Sequence, residues 1–345
     1  MKSMRTSPPP PPRRWMRLAI LLLIFATAGF VAWWWMIRMP GKSFKGSLPP
    51  LTADELALRN EMRADVEAIA TGIGPRSVEE YAELKAAADF IERSFASAGY
   101  QVRSDGYDVR GRLCENLDVE LKGTTQPDEV IVVGAHYDTV HGSPGANDNT
   151  SGVAATLALA RRFAGKPGAR TLRFVAFVNE EPGHFQTELM GSWVYASRCK
   201  ARGEKIAGMI SLETIGYFSN ERGSQNYPLP LLNLVYPSAG NFIAFVGDTG
   251  SKRLVRECVG SFRKHAQFPS EGTALPASVP GIGWSDHWAF WQHGYPALMV
   301  TDTAPFRYPF YHSSGDTPEK LDYDSMARVV KGVEGVITDL VAGGR

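Results

Sequence analysis

Two histidines and six carboxylates stand out in this 345-residue chain, because each lies at or just past the end of an apolar run. His136 and Asp138 close EVIVVGAHYD, and Asp148 follows within GSPGANDNTSG. Glu180 and Glu181 end RTLRFVAFVNEE, and Glu213 ends the apolar part of IAGMISLETIG. After PALMVTDT comes YPFYHSSGDTPEK, which carries Tyr311, His312 and Asp316. Imidazole nitrogen with carboxylate oxygen is a ligand set for zinc, manganese or cobalt, and a set without cysteine is not that of a purely structural zinc. One histidine in a loop says little; acids at the ends of three separate runs say more. Glu180 and Glu181 are adjacent, and two neighbouring carboxylates repel unless a cation compensates. They read either as a solvated acidic loop or as one metal ligand beside one proton carrier. Neighbours on a strand point opposite ways, so both reach one site only where the strand gives way to loop, and EEPGH supplies that ending.

Such residues need a scaffold that brings strand ends together. The runs named above, with NFIAFVGD, are unbroken enough to be strands buried on both faces. Helical patterns lie between them, near 78–98, 150–165, 190–202 and 251–265, and Asp148 is expected at the start of the second of these. An earlier helix is capped near Thr52 with Asp54 and Glu55 in its first turn. The last begins about Asp322 and puts Val329, Val330, Val333, Val336, Ile337 and Leu340 on one face. The alternation predicts an α/β three-layer sandwich, a mostly parallel mixed sheet with helices on both faces. In such sheets ligands collect at the carboxyl ends of strands, where these acids fall.

The N-terminus has a different character. Residues 1–17 hold five basic residues around a run of five prolines, and residues 18–37, LAILLLIFATAGFVAWWWMI, hold no charge. Twenty residues at about 1.5 Å each span roughly 30 Å, the thickness of a bilayer core. Trp33, Trp34 and Trp35 sit where an interfacial aromatic belt falls, and the basic residues before the run keep the N-terminus cytoplasmic. The expected organisation is a cytoplasmic tail at 1–17, a transmembrane signal-anchor at 18–37, a linker at 38–50 and one domain at 51–345. The alternative is a signal peptide cleaved after Ala26-Thr27-Ala28; both readings export the domain. A net charge of +1, with no basic block elsewhere, speaks against a nucleic-acid partner. Cys114, Cys199 and Cys258 are too scattered for a zinc knuckle and read as isolated buried thiols.

Taken in order, GAHYDTV, SPGANDNTSGVA, FVNEE, ELMGS, SLETIGY, SDHWAF and YHSSGDTPEKLDY resemble the M28 family of zinc peptidases, over about residues 55–340. The resemblance implies two zinc ions. His136 and Glu213 match ligands of the first, Glu181 and His312 ligands of the second, and Asp148 the bridge between them. Glu180 matches the general base, and Tyr311 matches a tyrosine that steadies the carbonyl oxygen in some members; its alternative is a packed aromatic. Many members have aspartate where this chain has Glu213, which puts the first metal's position in question. The peptide bond after the bridging aspartate is cis in the family. Asp138, two residues past His136, is expected to orient that imidazole, and Asp286 and His287 are read as pocket residues, Asp286 supporting the ligands, with a purely structural role as the alternative. His141, His184, His265 and His293 are left as surface or core.

The implied activity is a membrane-anchored, extracytoplasmic aminopeptidase acting on peptides. Alternatives of the same fold are a carboxypeptidase or dipeptidase, or a glutaminyl cyclase, which has a single zinc. A receptor-like ectodomain without catalysis is a further alternative, against which the complete ligand set argues.

Overall fold

In a computed structural model the structure describes residues 14–343. The proline run and the rest of the proposed tail up to residue 13 lie outside the described residues, as do the last two. The chain divides after Arg38 into two units.

The first unit is helix α1, Arg14–Met36, starting four residues before the uncharged run. Arg14, Met16 and Arg17 are good helix formers, so helicity extends into the basic flank. By length and composition α1 qualifies as a membrane span.

The second unit contains α2 (Ala53–Val66), α3 (Tyr81–Ser97), β1 (Arg103–Val109), β2 (Arg112–Leu121), β3 (Gln126–His136), α4 (Gly152–Phe163), β4 (Arg170–Phe177), α5 (Gly191–Ala201), β5 (Lys205–Glu213), β6 (Ile243–Asp248), α6 (Lys252–His265), β7 (Ser270–Leu275), α7 (His287–Gln292), β8 (Ala297–Thr301), α8 (Ala304–Arg307) and α9 (Tyr323–Val341). The strands form one eight-stranded sheet in the order β1-β2-β4-β3-β5-β8-β6-β7. The central strands β4, β3, β5 and β8 are parallel, as are β6 and β7; β1–β2, β2–β4 and β6–β8 are antiparallel. Alternation along β3 shows the layering. Ile131, Val133 and Ala135 pack into a core shared with α2, α3, α4, α6 and α9, whereas Val130 and Val132 pack into a smaller core with α5 and α7. Each such aliphatic side chain contributes about 1.5–3 kcal/mol when fully buried. The three-layer α/β sandwich expected from the sequence is the observed architecture.

The N-terminal cap of α2 is a reciprocal box: the Thr52 hydroxyl accepts the Glu55 amide, and the Glu55 carboxylate accepts the Thr52 amide at 2.8 Å. Strands β2 and β7 and helix α7 carry no strong signal in the sequence. β2 is half polar and β7 is the six residues SEGTAL. Residues 38–50 carry neither helix nor strand. Their first part is nonetheless docked: Met39 is buried, Arg263 donates to the Pro40 carbonyl at 3.0 Å, and the Ser270 amide donates to Ser43 Oγ at 2.9 Å. That contact covers part of the exposed edge of β7. Cys114, Cys199 and Cys258 are all buried and unbridged.

Candidate metal centre

The carboxyl ends of β3, β4 and β5 converge with the loop after α8, and the sequence-selected residues meet there. His136 is the last residue of β3 and is 1% exposed. Its Nδ1 faces the Asp138 carbonyl oxygen at 3.2 Å, nearer than the Asp138 carboxylate at 3.6 Å. Its Nε2 lies 3.4 Å from Asp148 Oδ1, 3.4 Å from Glu213 Oε2 and 3.9 Å from Glu180 Oε2. On the other side of Asp148, His312 Nε2 lies 3.1 Å from Asp148 Oδ2 and 3.1 Å from Glu181 Oε2. Two triads therefore share one carboxylate: His136, Asp148 and Glu213, and Asp148, Glu181 and His312.

His136 Nε2 and Asp148 Oδ2 are buried and satisfy no hydrogen bond, although ionised partners stand close enough to perturb both groups. Buried polar atoms are almost always paired, so orphans converging on one space fit a cation there. The charge balance points the same way. Burial, with Glu213 and Glu181 nearby, holds Glu180 well above the usual carboxylate range despite His136. Burial pushes Glu181 up to about 8, with Asp148 adding to it. Burial alone would depress His312, but the Asp148 and Glu181 carboxylates beside it push it up to about 10.

The loop between His136 and Asp148 is held from beneath. Gly145 adopts φ +60, and a Cβ there would meet Thr139 Cγ2 at 2.3 Å and the Asp148 carbonyl at 2.4 Å. Asp316 accepts the Asn147 amide at 2.8 Å and the Asp148 amide at 3.0 Å. Arg76, wholly buried, donates to the carbonyls of Tyr137 at 2.5 Å, Gly74 at 3.1 Å, Pro144 at 2.7 Å and Gly145 at 3.3 Å, and to Thr150 Oγ1 at 2.6 Å. The sequence reading missed Arg76 altogether and gave Asp316 no role. An arginine in GPRS and an aspartate in SSGD carry no ligand spacing; only the fold reveals what they hold. Asp148 itself lies one turn before α4, with non-helical φ −110 and ψ 92, rather than in the first turn of the helix. Asn149 does the capping instead, its Oδ1 accepting the Gly152 amide at 3.1 Å. The Asp148–Asn149 peptide is cis.

Around Glu213, the Ser285 hydroxyl donates to Oε2 at 2.7 Å and Asn149 Nδ2 donates to the same oxygen at 3.3 Å. Asp138 contributes most through its carboxylate, which accepts the backbone amides of Glu180 at 3.0 Å and Glu181 at 3.2 Å. Asp286 is wholly buried, and burial pushes its carboxyl up to about 7. Ser192 is near enough to perturb it, yet neither carboxylate oxygen closes a hydrogen bond. Tyr311 stacks on the His312 ring, centroids 3.8 Å apart, with its phenol kept protonated by burial and the surrounding carboxylates. His287 donates to or accepts nothing in the centre; its Nε2 meets the Ile282 carbonyl at 2.7 Å. His141 pairs with Glu80, His265 with Asp339, and His293 with the Ala289 carbonyl, all outside the triads. His184 lines a polar pocket beside Glu181 and is not in a triad either.

Comparison with known proteins gives a consistent picture. Residues 116–337 match the model of Peptidase family M28. An uncharacterized protein of Escherichia coli K12, YfbL, is 36% identical over 281 residues, 79% of this chain and 85% of the relative. Among solved structures, the zinc aminopeptidase BSAP of Bacillus subtilis superposes with a TM-score of 0.62 at 16% identity, over 83% of this chain and 95% of that one. A glutaminyl cyclase of Fimbriiglobus ruber superposes with a TM-score of 0.59 at 21% identity, over 87% and 99%. At these identities the two structures share the fold with this chain, and the fold alone does not choose between their activities.

Proposed function

Because the chain belongs to peptidase family M28, we propose that it is a zinc-dependent aminopeptidase, anchored by α1 with its hydrolase domain outside the cytoplasm. The observation that carries the reading is the pair of triads sharing Asp148, with Glu180 beside them but in neither. In this reading the tail is 1–17, the anchor 18–37, the linker 38–50 and the peptidase domain 51–345.

His136, Asp148 and Glu213 hold one zinc; Asp148, Glu181 and His312 hold the other. The buried orphan atoms His136 Nε2 and Asp148 Oδ2 and the all-nitrogen-and-oxygen donor set fit zinc. Zinc held by these residues would supply an acidified water near neutral pH and a Lewis acid for the scissile carbonyl. Glu180 does the proton work. Its Oε2 stands 3.9 Å from His136 Nε2, free of both triads, and its raised affinity for a proton suits a base that takes one from water and returns it to the leaving amine. Asp138 fixes the backbone on which Glu180 and Glu181 stand. Tyr311, protonated and stacked on His312, donates to the developing oxyanion. Asp286 backs Glu213 and His136 as a largely neutral acid below about pH 7.

The excess of carboxylates favours a substrate that brings a free ammonium, hence the amino end of a peptide. A glutaminyl cyclase shares the fold, but both triads are complete here. The test is paired substrates: a peptide with a free N-terminus is cleaved, its N-acetyl derivative is not, and chelation abolishes turnover until zinc is restored. Equal cleavage of the acetylated peptide sinks the aminopeptidase reading, and ammonia release from an N-terminal glutaminyl peptide without peptide cleavage replaces it with cyclisation.

A further inference from the structure

Beyond Glu213 and Tyr311 the structure opens into a cavity of about 90 Å³ whose walls include Tyr227, Phe242, Trp284 and Phe306. On a scale where one water needs about 10–15 Å³, that is room for several waters or one long side chain. Its floor is the sheet. Strand registers pair Glu213 with Thr301, Thr301 with Ala244, and Ala244 with Glu271. All four line the cavity, so a trough of small residues runs across three strand spacings, about 14 Å, from the metal-side glutamate to Glu271. Thr273, two residues on, shares the face of Glu271.

The far end of this apolar trough is polar and under-partnered. The Glu271 side chain is only 25% exposed, and its one ion pair among the described residues, to Arg263, is 3.8 Å long, too long for a hydrogen bond. Arg263 is committed elsewhere, donating to the carbonyls of Pro40 and Ser270 and to Ser270 Oγ. Lys45, exposed on the surface, acts on Glu271 only through space. Thr273 is 9% exposed, and its hydroxyl closes no hydrogen bond, although it is near enough to Tyr236 to perturb that phenol.

We infer that Glu271 selects substrates whose N-terminal residue carries a long basic side chain, arginine or lysine. This rests on the aminopeptidase reading. The methylene stem of such a residue covers the apolar walls, and its cationic head meets the carboxylate and the Thr273 hydroxyl at the end. An extended stem spans roughly half of the trough, and the substrate main chain at the metal end and the glutamate's own side chain take up the rest. Leucine fills the near half and leaves Glu271 unmet; an acidic residue is repelled, which is discrimination by an unfavourable contact as well as a favourable one.

The test measures kcat/KM of the zinc-loaded full-length protein on arginyl, lysyl, leucyl and glutamyl 4-nitroanilides, for the native chain and for Glu271→Gln and Thr273→Val. Melting temperatures confirm that the variants are folded. The native chain is expected to favour arginine over leucine, and Glu271→Gln to cut that ratio by about tenfold or more while leucyl turnover stays within about twofold. Thr273→Val is expected to lower arginyl and lysyl turnover only. An arginine-to-leucine ratio unmoved by Glu271→Gln overturns the inference. If every free-amine substrate is inert, the aminopeptidase reading falls, and calorimetric binding of L-argininamide against L-leucinamide still decides the pocket. Weaker argininamide binding in Glu271→Gln upholds it, and equal binding to both chains overturns it.

Discussion

The carboxylate of Asp138 accepts the backbone amide of Glu180 at 3.0 Å, and its second oxygen takes the next amide, that of Glu181. One side chain thus sets the backbone beneath both the proposed base and a proposed ligand, while its own carbonyl faces His136. Asp138→Asn keeps the shape but turns an NH₂ toward one of those amides. Its kcat/KM is expected to fall by about 10–100-fold with weaker zinc retention. A variant with native kinetics and native zinc content refutes the positioning role.

Glu180 is in neither triad. Glu180→Gln removes the proposed proton acceptor and leaves the proposed ligands in place, so kcat is expected to drop by about 10²–10⁴-fold while zinc content by mass spectrometry stays native. Parallel loss of zinc and rate places Glu180 among the ligands instead.

Metal binding competes with protons. In the metal-free centre Glu181 holds its proton up to about pH 8 because burial disfavours the charged form, and His312 up to about pH 10 because Asp148 and Glu181 outweigh its burial. A zinc ion held by the proposed ligands would displace both protons, so its affinity is expected to rise with pH. Glu181 is raised above its unfolded value, so its contribution to the metal-free fold is present below about pH 4.5 and lost as pH climbs toward 8. The gap in melting temperature between zinc-loaded and chelated protein is therefore expected to widen from pH 6 to pH 8. A gap that narrows contradicts the assignment of Glu181 and His312.

Glu213 reaches His136 and Ser285 with the extra methylene that aspartate lacks. Glu213→Asp withdraws the carboxylate by about 1.5 Å. The expected result is zinc stoichiometry falling toward one per chain. Retention of two shows that the two loops carrying Asn149 and Ser285 follow the shorter side chain.

Arg76 ties four carbonyls and the Thr150 hydroxyl together under the metal loop. Arg76→Met leaves these acceptors buried and unmet, at a cost of about 3 kcal/mol or more. Chemical denaturation measures this directly; a change below about 1 kcal/mol shows that the loop is held by Asp316 and the glycines instead.

Much of the centre was legible in the chain because strand ends in a parallel sheet converge, and a run such as FVNEE announces its own end. His136, Asp148, Glu180, Glu181, Glu213 and His312 were all named from sequence, and the structure brings them together. The buried supports were not legible. Arg76 and Asp316 act through backbone carbonyls and amides, and which backbone they meet is decided by loops whose paths no periodicity encodes. Asp148 was placed a turn too late because Asn149 took over as cap. β7 was missed because SEGTAL lacks an apolar alternation, and with it went the position of Glu271 across the sheet from Glu213.

The three buried cysteines bear on how long the folded protein lasts. Burial pushes the Cys199 thiol up to about 12 and raises Cys114 and Cys258 as well. Thiolate is the reactive form, so in the native state all three are poor targets for oxidants and for disulfide exchange. An oxidising compartment therefore threatens this chain chiefly while it is unfolded. Once folded, its durability there depends on the stability of its core rather than on any crosslink.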